Sequence, residues 1–194
     1  MTKLEPIGRD LEIEPSRGEF ARRYGAGVAQ VVWTRLIADL ETPVSAMLKL
    51  SDGQPLSCLL ESVQGGATRG RYSIIGLAPD VVWRAFGNRA EINVNPQAAA
   101  DAFTPDAAPT LESLRALLDR SRIELPAGLP PIAAGIIGYM GYDTVRLVEH
   151  LPTQRPDALG VPDAVFVRPT LMVVFDTVKA VSYTHLTLPT ICSV

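Results

Sequence analysis

Cysteine is scarce in this chain: two in 194 residues, Cys58 and Cys192. Thiols so far apart make neither a disulfide framework nor a zinc-ligand pattern. A fold without disulfides fits a reducing, cytoplasmic setting. Cys58 sits in an apolar run, where a free thiol behaves as a small hydrophobe. Histidine is equally scarce, at positions 150 and 185. His150 follows Glu149 at the end of a helical segment, where an exposed imidazole is unremarkable. Long apolar runs are missing as well: none approaches the roughly 20 residues needed to span a bilayer. Residues 1–10 alternate charged and apolar side chains and lack the apolar core of a signal peptide. Charge of one sign is missing too, since 18 basic and 21 acidic residues leave a net charge of −3. Without a basic stripe, nucleic-acid binding is a poor expectation. Arg69 and Arg71, split by Gly70 in a turn-rich stretch, read as a solvated loop rather than a phosphate site.

What is present is a core. Apolar residues make up 47% and charged ones 20%, a balance that fits a soluble globular protein and not a disordered one. The length suffices for one domain or one lobe of a larger fold. Residues 1–18, with Pro6 and Pro15, read as a loosely held lead-in. A short helix is expected from Glu19 to Tyr24, ended by Gly25 and Gly27. Val28 to Ile37 reads as a strand, with a helix not excluded by periodicity. Val44 to Leu50 is a short apolar element. Leu56–Ser62, Arg71–Leu77, Val81–Phe86 and Arg89–Val94 are four strand candidates. They are separated by turn signals at Gln64-Gly65-Gly66, Ala78-Pro79-Asp80 and Gly87-Asn88, as in an antiparallel meander.

Residues 95–109 are expected to form a loop. Thr110 is a candidate N-cap for a helix over 111–122, with Leu111, Leu114, Leu117 and Leu118 on its apolar face. Ala133–Tyr142 reads as a Gly-interrupted strand, Thr144–His150 as a helical turn, and residues 151–163 as a Pro-rich loop. Ala164–Val167 and Thr170–Val178 are two further strands. Residues 181–194 break the pattern: from Ser182 the chain reads SYTHLTLPTICSV, uncharged and rich in Thr and Ser. They are set apart from the fold as a non-native tail. The fold class is α+β, a mostly antiparallel sheet with a few packed helices.

The chemistry-bearing groupings are few. Gly135, Gly138 and Gly141 have neither the dinucleotide nor the P-loop spacing. Glycine inside a strand marks a bulge or a close backbone approach, so tight packing is expected there. No serine-hydrolase elbow, zincin or Cys-His signature occurs. Glu61 and Asp143 interrupt apolar segments, and a paired structural carboxylate is the plainer reading of each. The informative stretch is Leu59-Leu60-Glu61-Ser62, then Gly65-Gly66, then Arg71-Tyr72-Ser73-Ile74. Two strands joined by this loop would bring Ser62 near Arg71–Ser73. Alternation places Leu60 and Ser62 on one face and Leu59 and Glu61 on the other. Hydroxyl, carboxylate, aromatic and apolar groups together suit an amino-acid ligand. A turn-capping Ser and a sheet-edge Glu would leave the same trace.

The runs DLETPVSAMLKL (39–50), LLES (59–62), GRYSIIG (70–76) and GIIGYMGYD (135–143) together resemble the N-terminal region of anthranilate synthase component I, over residues 19–180. The large subunit of aminodeoxychorismate synthase, of folate synthesis, is the nearest rival among chorismate-using enzymes. A stand-alone amino-acid-binding module is the alternative of another kind. The resemblance implies a lyase that turns chorismate and ammonia into anthranilate and pyruvate. It implies ammonia from a glutamine amidotransferase subunit, and Mg2+ and chorismate bound in a C-terminal catalytic domain that this chain lacks. It further implies feedback inhibition by L-tryptophan, with Ser62 touching the inhibitor, Leu60 and Glu61 as wall residues, and Arg71, Tyr72, Ser73 and Ile74 as weaker candidates. On the same ground this chain carries no catalytic or metal residues, is inactive alone, and forms an incomplete part of an α/β sandwich with apolar surface and strand edges exposed.

Overall fold

A computed structural model describes residues 12–38, 40–63, 69–152, 157–176 and 181–188, with residues 63, 69 and 181–188 as backbone only. Two long antiparallel strands carry it, β4 (Arg69–Phe86) and β8 (Ala164–Asp176). They pair from Tyr72↔Asp176 to Ala85↔Ala164. Each has its outer edge filled by two shorter strands in succession. Along β4 lie β3 (Cys58–Val63) and β5 (Arg89–Asn93). Along β8 lie β9 (Val181–Leu188) and β7 (Ile137–Met140). Beyond β9 come β2 (Gln30–Ile37) and β1 (Ile13–Glu14), and beyond β5 comes β6 (Thr104–Pro105), completing a nine-stranded sheet.

Two turns expected from the sequence are bends inside single strands. Ala78-Pro79-Asp80 lies within β4, where the register shifts between Pro79 and Val81. The corresponding point of β8 is Pro169, paired directly with Pro79. Two prolines face to face remove two ladder donors, so the sheet kinks there without ending. Side chains make good the loss. The Thr170 hydroxyl donates to the Ala78 carbonyl at 2.6 Å, and Gln97 Nε2 donates to that of Pro79 at 3.3 Å. Arg168 grips Asp80 with two bonds of 2.8 Å across the bend. The break seen in sequence between 164–167 and 170–178 has the same origin.

Among the described residues three α-helices pack on the sheet. The first, α1 (Arg17–Gly25), begins within the expected lead-in, and Ser16 accepts from the Glu19 amide. The apolar element at 44–50 is a helix, α2 (Pro43–Ser51). Its signal is local: Thr42 and Ser45 form a reciprocal capping box, with Pro43 at the first turn. The third, α3 (Thr110–Arg120), takes Thr110 inside it, after Pro109 at the cap position. Its buried stripe is Thr110, Ser113, Leu114 and Leu117, while Leu118 faces out. Two hydroxyls are tolerated in that stripe because both are bonded. Thr110 Oγ1 donates to the Gly87 carbonyl at 2.9 Å. Ser113 Oγ accepts from Trp83 Nε1 at 2.8 Å and donates to Asp106 Oδ2 at 2.7 Å.

The expected strand 133–142 shortens to β7, after a 3-10 turn at Pro131–Ala133, and Tyr142–Leu147 forms a second 3-10 segment. The close approach expected of the glycines is found at Gly138, where a Cβ would lie 1.9 Å from the Val165 carbonyl oxygen. Residues 181–188, set apart on composition, are integrated as β9 between β2 and β8. Val, Tyr, Thr and Leu suit a strand, and the gap between β2 and β8 supplies ladder partners on both sides. Residues 1–11 and 189–194 lie outside the described residues.

The core has three parts. One face of the sheet gathers Ile74, Met172 and Val174 with Trp33, Val82 and Ile137. The opposite face packs Ile75, Leu77, Val173 and Phe175 against Ala46 of α2. A third cluster joins Trp83 and Ala85 to Leu114 and Leu117 of α3.

Candidate ligand-binding site

The seven residues singled out from the sequence lie on β3 and β4, which pair antiparallel with Leu60 opposite Ile74 and Glu61 opposite Ser73. The register then slips, and Val63 stands opposite Arg69. The slip has a specific partner in Gly70. Its Cα lies against Ser62 so closely that a Cβ would fall 2.1 Å from Ser62 Oγ, 2.2 Å from its Cβ and 2.4 Å from its carbonyl oxygen. Only glycine lets the two strands meet here.

Strand alternation divides the seven residues. Leu60, Ile74 and Tyr72 share one face, where Ile74 and Tyr72 join the Trp33 and Val174 cluster. Ser62 follows Leu60 on that side by alternation. Glu61 and Ser73 face the other way, toward the side covered by α2. Ser73 and Ile74 are buried, while Leu60 (43% exposed), Glu61 and Ser62 are open to solvent. Together they give an exposed polar edge on an apolar base.

Arg71 is held. Its Nε and Nη2 reach Asp176 Oδ1 and Oδ2 at 3.2 and 3.0 Å, and its guanidinium carbon lies 4.8 Å from the Tyr72 ring centre. Asp176 is only 3% exposed, at the end of β8 and opposite Tyr72. A bidentate pair of this kind fixes planar geometry, so β4 is tied to β8 beside the candidate residues. Sequence reasoning missed both Asp176 and Gly70. The available signals were a carboxylate closing the apolar run Leu171–Phe175 and a glycine between two arginines.

The other titratable groups have structural surroundings. Burial pushes the Cys58 thiol pKa up, against a smaller lowering from its hydrogen bond with the Gly76 backbone. The Glu41 carboxyl is held below its ordinary range by a hydrogen bond from Lys49 and then one from Ser45. Asp143 pairs with Arg146 at 2.8 Å, the structural role expected of it. Among the described residues no three His, Cys, Asp or Glu side chains cluster as a metal site. No helix among the described residues is long and apolar enough to cross a membrane.

No family model matches the chain. Individual relatives do. Anthranilate synthase component 1 of Cereibacter sphaeroides is 53% identical over 160 residues, 82% of this chain and 32% of that protein. The protein of the same name from Thermus thermophilus is 40% identical over 162 residues, 79% of this chain and 30% of its own length. Among solved structures, anthranilate synthase component I from Streptococcus pneumoniae aligns over 78% of this chain and 30% of that one, with a TM-score of 0.48 and 22% identity. The chain thus spans 32% and 30% of the length of these two curated relatives. Over that region it is a homologue of anthranilate synthase component 1.

Proposed function

We propose that this chain is the N-terminal, regulatory region of an anthranilate synthase component I, and that β3 and β4 carry part of its feedback site for L-tryptophan. The observation that carries the proposal is the 53% identity to the Cereibacter protein across 82% of the chain. In this reading the whole protein works in the cytoplasm and converts chorismate and ammonia into anthranilate and pyruvate. A glutamine amidotransferase subunit delivers the ammonia. Chorismate and Mg2+ are held by the part of the protein outside this chain, and the chain alone has no turnover.

The surface supports this reading. Leu40 is 97% exposed and Leu48, on α2, 72%. Val44 and Leu60 are exposed as well. In this reading a further part of the same protein covers such apolar side chains. The pocket would close by the same step, with Ser62 at its rim and Leu60 and Ile74 as its apolar base.

Feedback then follows from linkage. Tryptophan inhibits only if it binds the inactive arrangement more tightly than the active one. Ser62 supplies a hydroxyl for the ligand's polar end. Losing one hydrogen bond to a charged group costs about 1.5–3 kcal/mol, or about a tenfold to hundredfold rise in the inhibitory concentration. Ser62→Ala in the whole enzyme is therefore expected to shift tryptophan inhibition by that factor and leave uninhibited turnover close to the parent's. A kinetic titration giving the same inhibition curve for both proteins would remove Ser62 from the site.

A further inference from the structure

Residues 52–57 join α2 to β3. Asp52, at the end of α2, has a positive φ of 42°, which is ordinary where a helix stops. Leu56 has a φ of 63° and no such excuse. A leucine resists this region because its Cβ crowds the carbonyl oxygen that follows. Pro55 and Leu56 form the middle of a turn. Proline followed by a positive φ is the type II pattern, whose second central position ordinarily takes glycine or asparagine.

Strain of this kind persists only where the surroundings over-determine it. Across the turn, Ser57 Oγ donates to the Gln54 carbonyl at 3.1 Å, and the Gln54 amide donates to that of Ser51 at 2.6 Å. Upstream, α2 is anchored by its capping box, by the bonds from Lys49 and Ser45 to Glu41, and by Ala46 in the core. Downstream the turn feeds straight into β3. Among the described residues β3 pairs with β4 alone, and its far end is the slip in register beside Gly70.

Ala78 supplies the contrast. Its φ is 47°, but it lies within β4, which pairs with β8 at Leu77 before it and at Pro79 after it. Strain at Ala78 is released only when the sheet comes apart. Strain at Leu56 has a smaller exit, the displacement of one edge strand.

We propose that the Pro55-Leu56 turn is a loaded hinge for β3. Leu56 keeps its left-handed backbone while β3 is seated on β4 and relaxes to a negative φ when β3 shifts. Anything that draws β3 from its seat therefore recovers the strain, whichever ligand acts there. The test compares Leu56→Gly with Leu56→Ala in the 194-residue chain. Leu56 is 39% exposed, so trimming it leaves no core cavity. Both variants lose the side chain, and only glycine accepts the positive φ freely. The glycine variant is expected to melt about 2–4 °C above the alanine variant. Hydrogen exchange, read by mass spectrometry on peptides covering 58–63, is expected to be about fivefold slower in the glycine variant. Ala78→Gly is expected to melt above the parent and to leave exchange in β3 unchanged. A glycine variant that melted no higher than the alanine variant would mean that Leu56 is unstrained, and the hinge would be lost with it. A higher melting temperature with equal exchange in β3 would mean that the strain is released only on global unfolding. Slower exchange in β3 of Ala78→Gly as well would assign the effect to the whole sheet. Either result would overturn the proposal.

Discussion

Replacing Gly70 by alanine tests whether β3 is seated as described. The added Cβ would arrive 2.1–2.4 Å from three atoms of Ser62, one of them the backbone carbonyl oxygen. Carbon atoms rest at about 3.5–4.0 Å, so β3 and β4 must part by about 1 Å or more. Turning the Ser62 hydroxyl away relieves one contact only, since the Cβ and the carbonyl move with the strand. Overpacking of this kind costs about 1–3 kcal/mol. For a chain of this size each kcal/mol lowers the melting temperature by about 2–4 °C, so Gly70→Ala is expected to melt about 2–12 °C below the parent. Gly18→Ala is the control. Nothing lies within 4 Å of a Cβ at Gly18 in α1, and alanine favours a helix by up to about 1 kcal/mol. Thermal unfolding followed by circular dichroism reads both. If Gly70→Ala melted with the parent, the contact between Ser62 and Gly70, and the bulge built on it, would be wrong.

The Arg71–Asp176 pair predicts an asymmetry. Arg71→Met takes two hydrogen bonds from a carboxylate with 2% side-chain exposure, whereas Asp176→Asn leaves a guanidinium that is already 47% exposed and can turn to water. Breaking a fully buried pair costs about 3–5 kcal/mol. Screening at the exposed arginine reduces this to about 1–3 kcal/mol for Arg71→Met, with the smaller loss expected for Asp176→Asn. Urea titrations that ranked the two the other way would refute this account of the pair. Asp106 gives a pH signature. Its carboxyl pKa is lowered from 3.8 by the Ala108 amide and then by the Ser113 hydroxyl. A depressed acid contributes stability that is complete above its unfolded value and disappears as the pH falls through its folded one. Asp106→Asn is therefore expected to flatten the loss of stability below about pH 4, and an acid limb that kept its slope would count against the Trp83–Ser113–Asp106 chain.

Much of the fold was legible because local signals agreed with the final structure. Both members of the β3–β4 pair were visible as apolar runs on either side of the Gln64-Gly65-Gly66 turn signal, which lies outside the described residues. Where the reading failed, local and long-range demands conflicted. Ala78-Pro79-Asp80 carries the composition of a turn, and Ala78 has a positive φ of 47°. It remains inside β4 because β8 offers Pro169 at the matching position, which no local window can reveal. Thr110, read as an N-cap, is instead buried inside α3 together with Ser113, because Gly87, Trp83 and Asp106 supply their partners. The backbone of residues 181–188 finds ladder partners in β2 and β8, a long-range pairing that composition does not show.

The candidate site was legible in its strands but not in its mechanics. Leu60, Glu61 and Ser62 sit on a strand whose only pairing among the described residues is to β4. A strand held along one edge can shift without dismantling the sheet, and its neighbour cannot. Tyr72 to Ala85 of β4 is locked to β8, and Arg71 adds two bonds to Asp176 beside the slip in register. A ligand that touched Ser62 would therefore act on the movable member of a pair whose other member is fixed. Displacement of β3 would be resisted chiefly at the bulge, where Ser62 rests on Gly70. If feedback runs through β3, Gly70→Ala should alter tryptophan inhibition in the whole enzyme by changing the resting position of the strand, while Ser62→Ala alters it by removing a contact. The two effects should combine non-additively, because both act on one interface. Additive shifts in the inhibition constant would place the ligand's grip elsewhere.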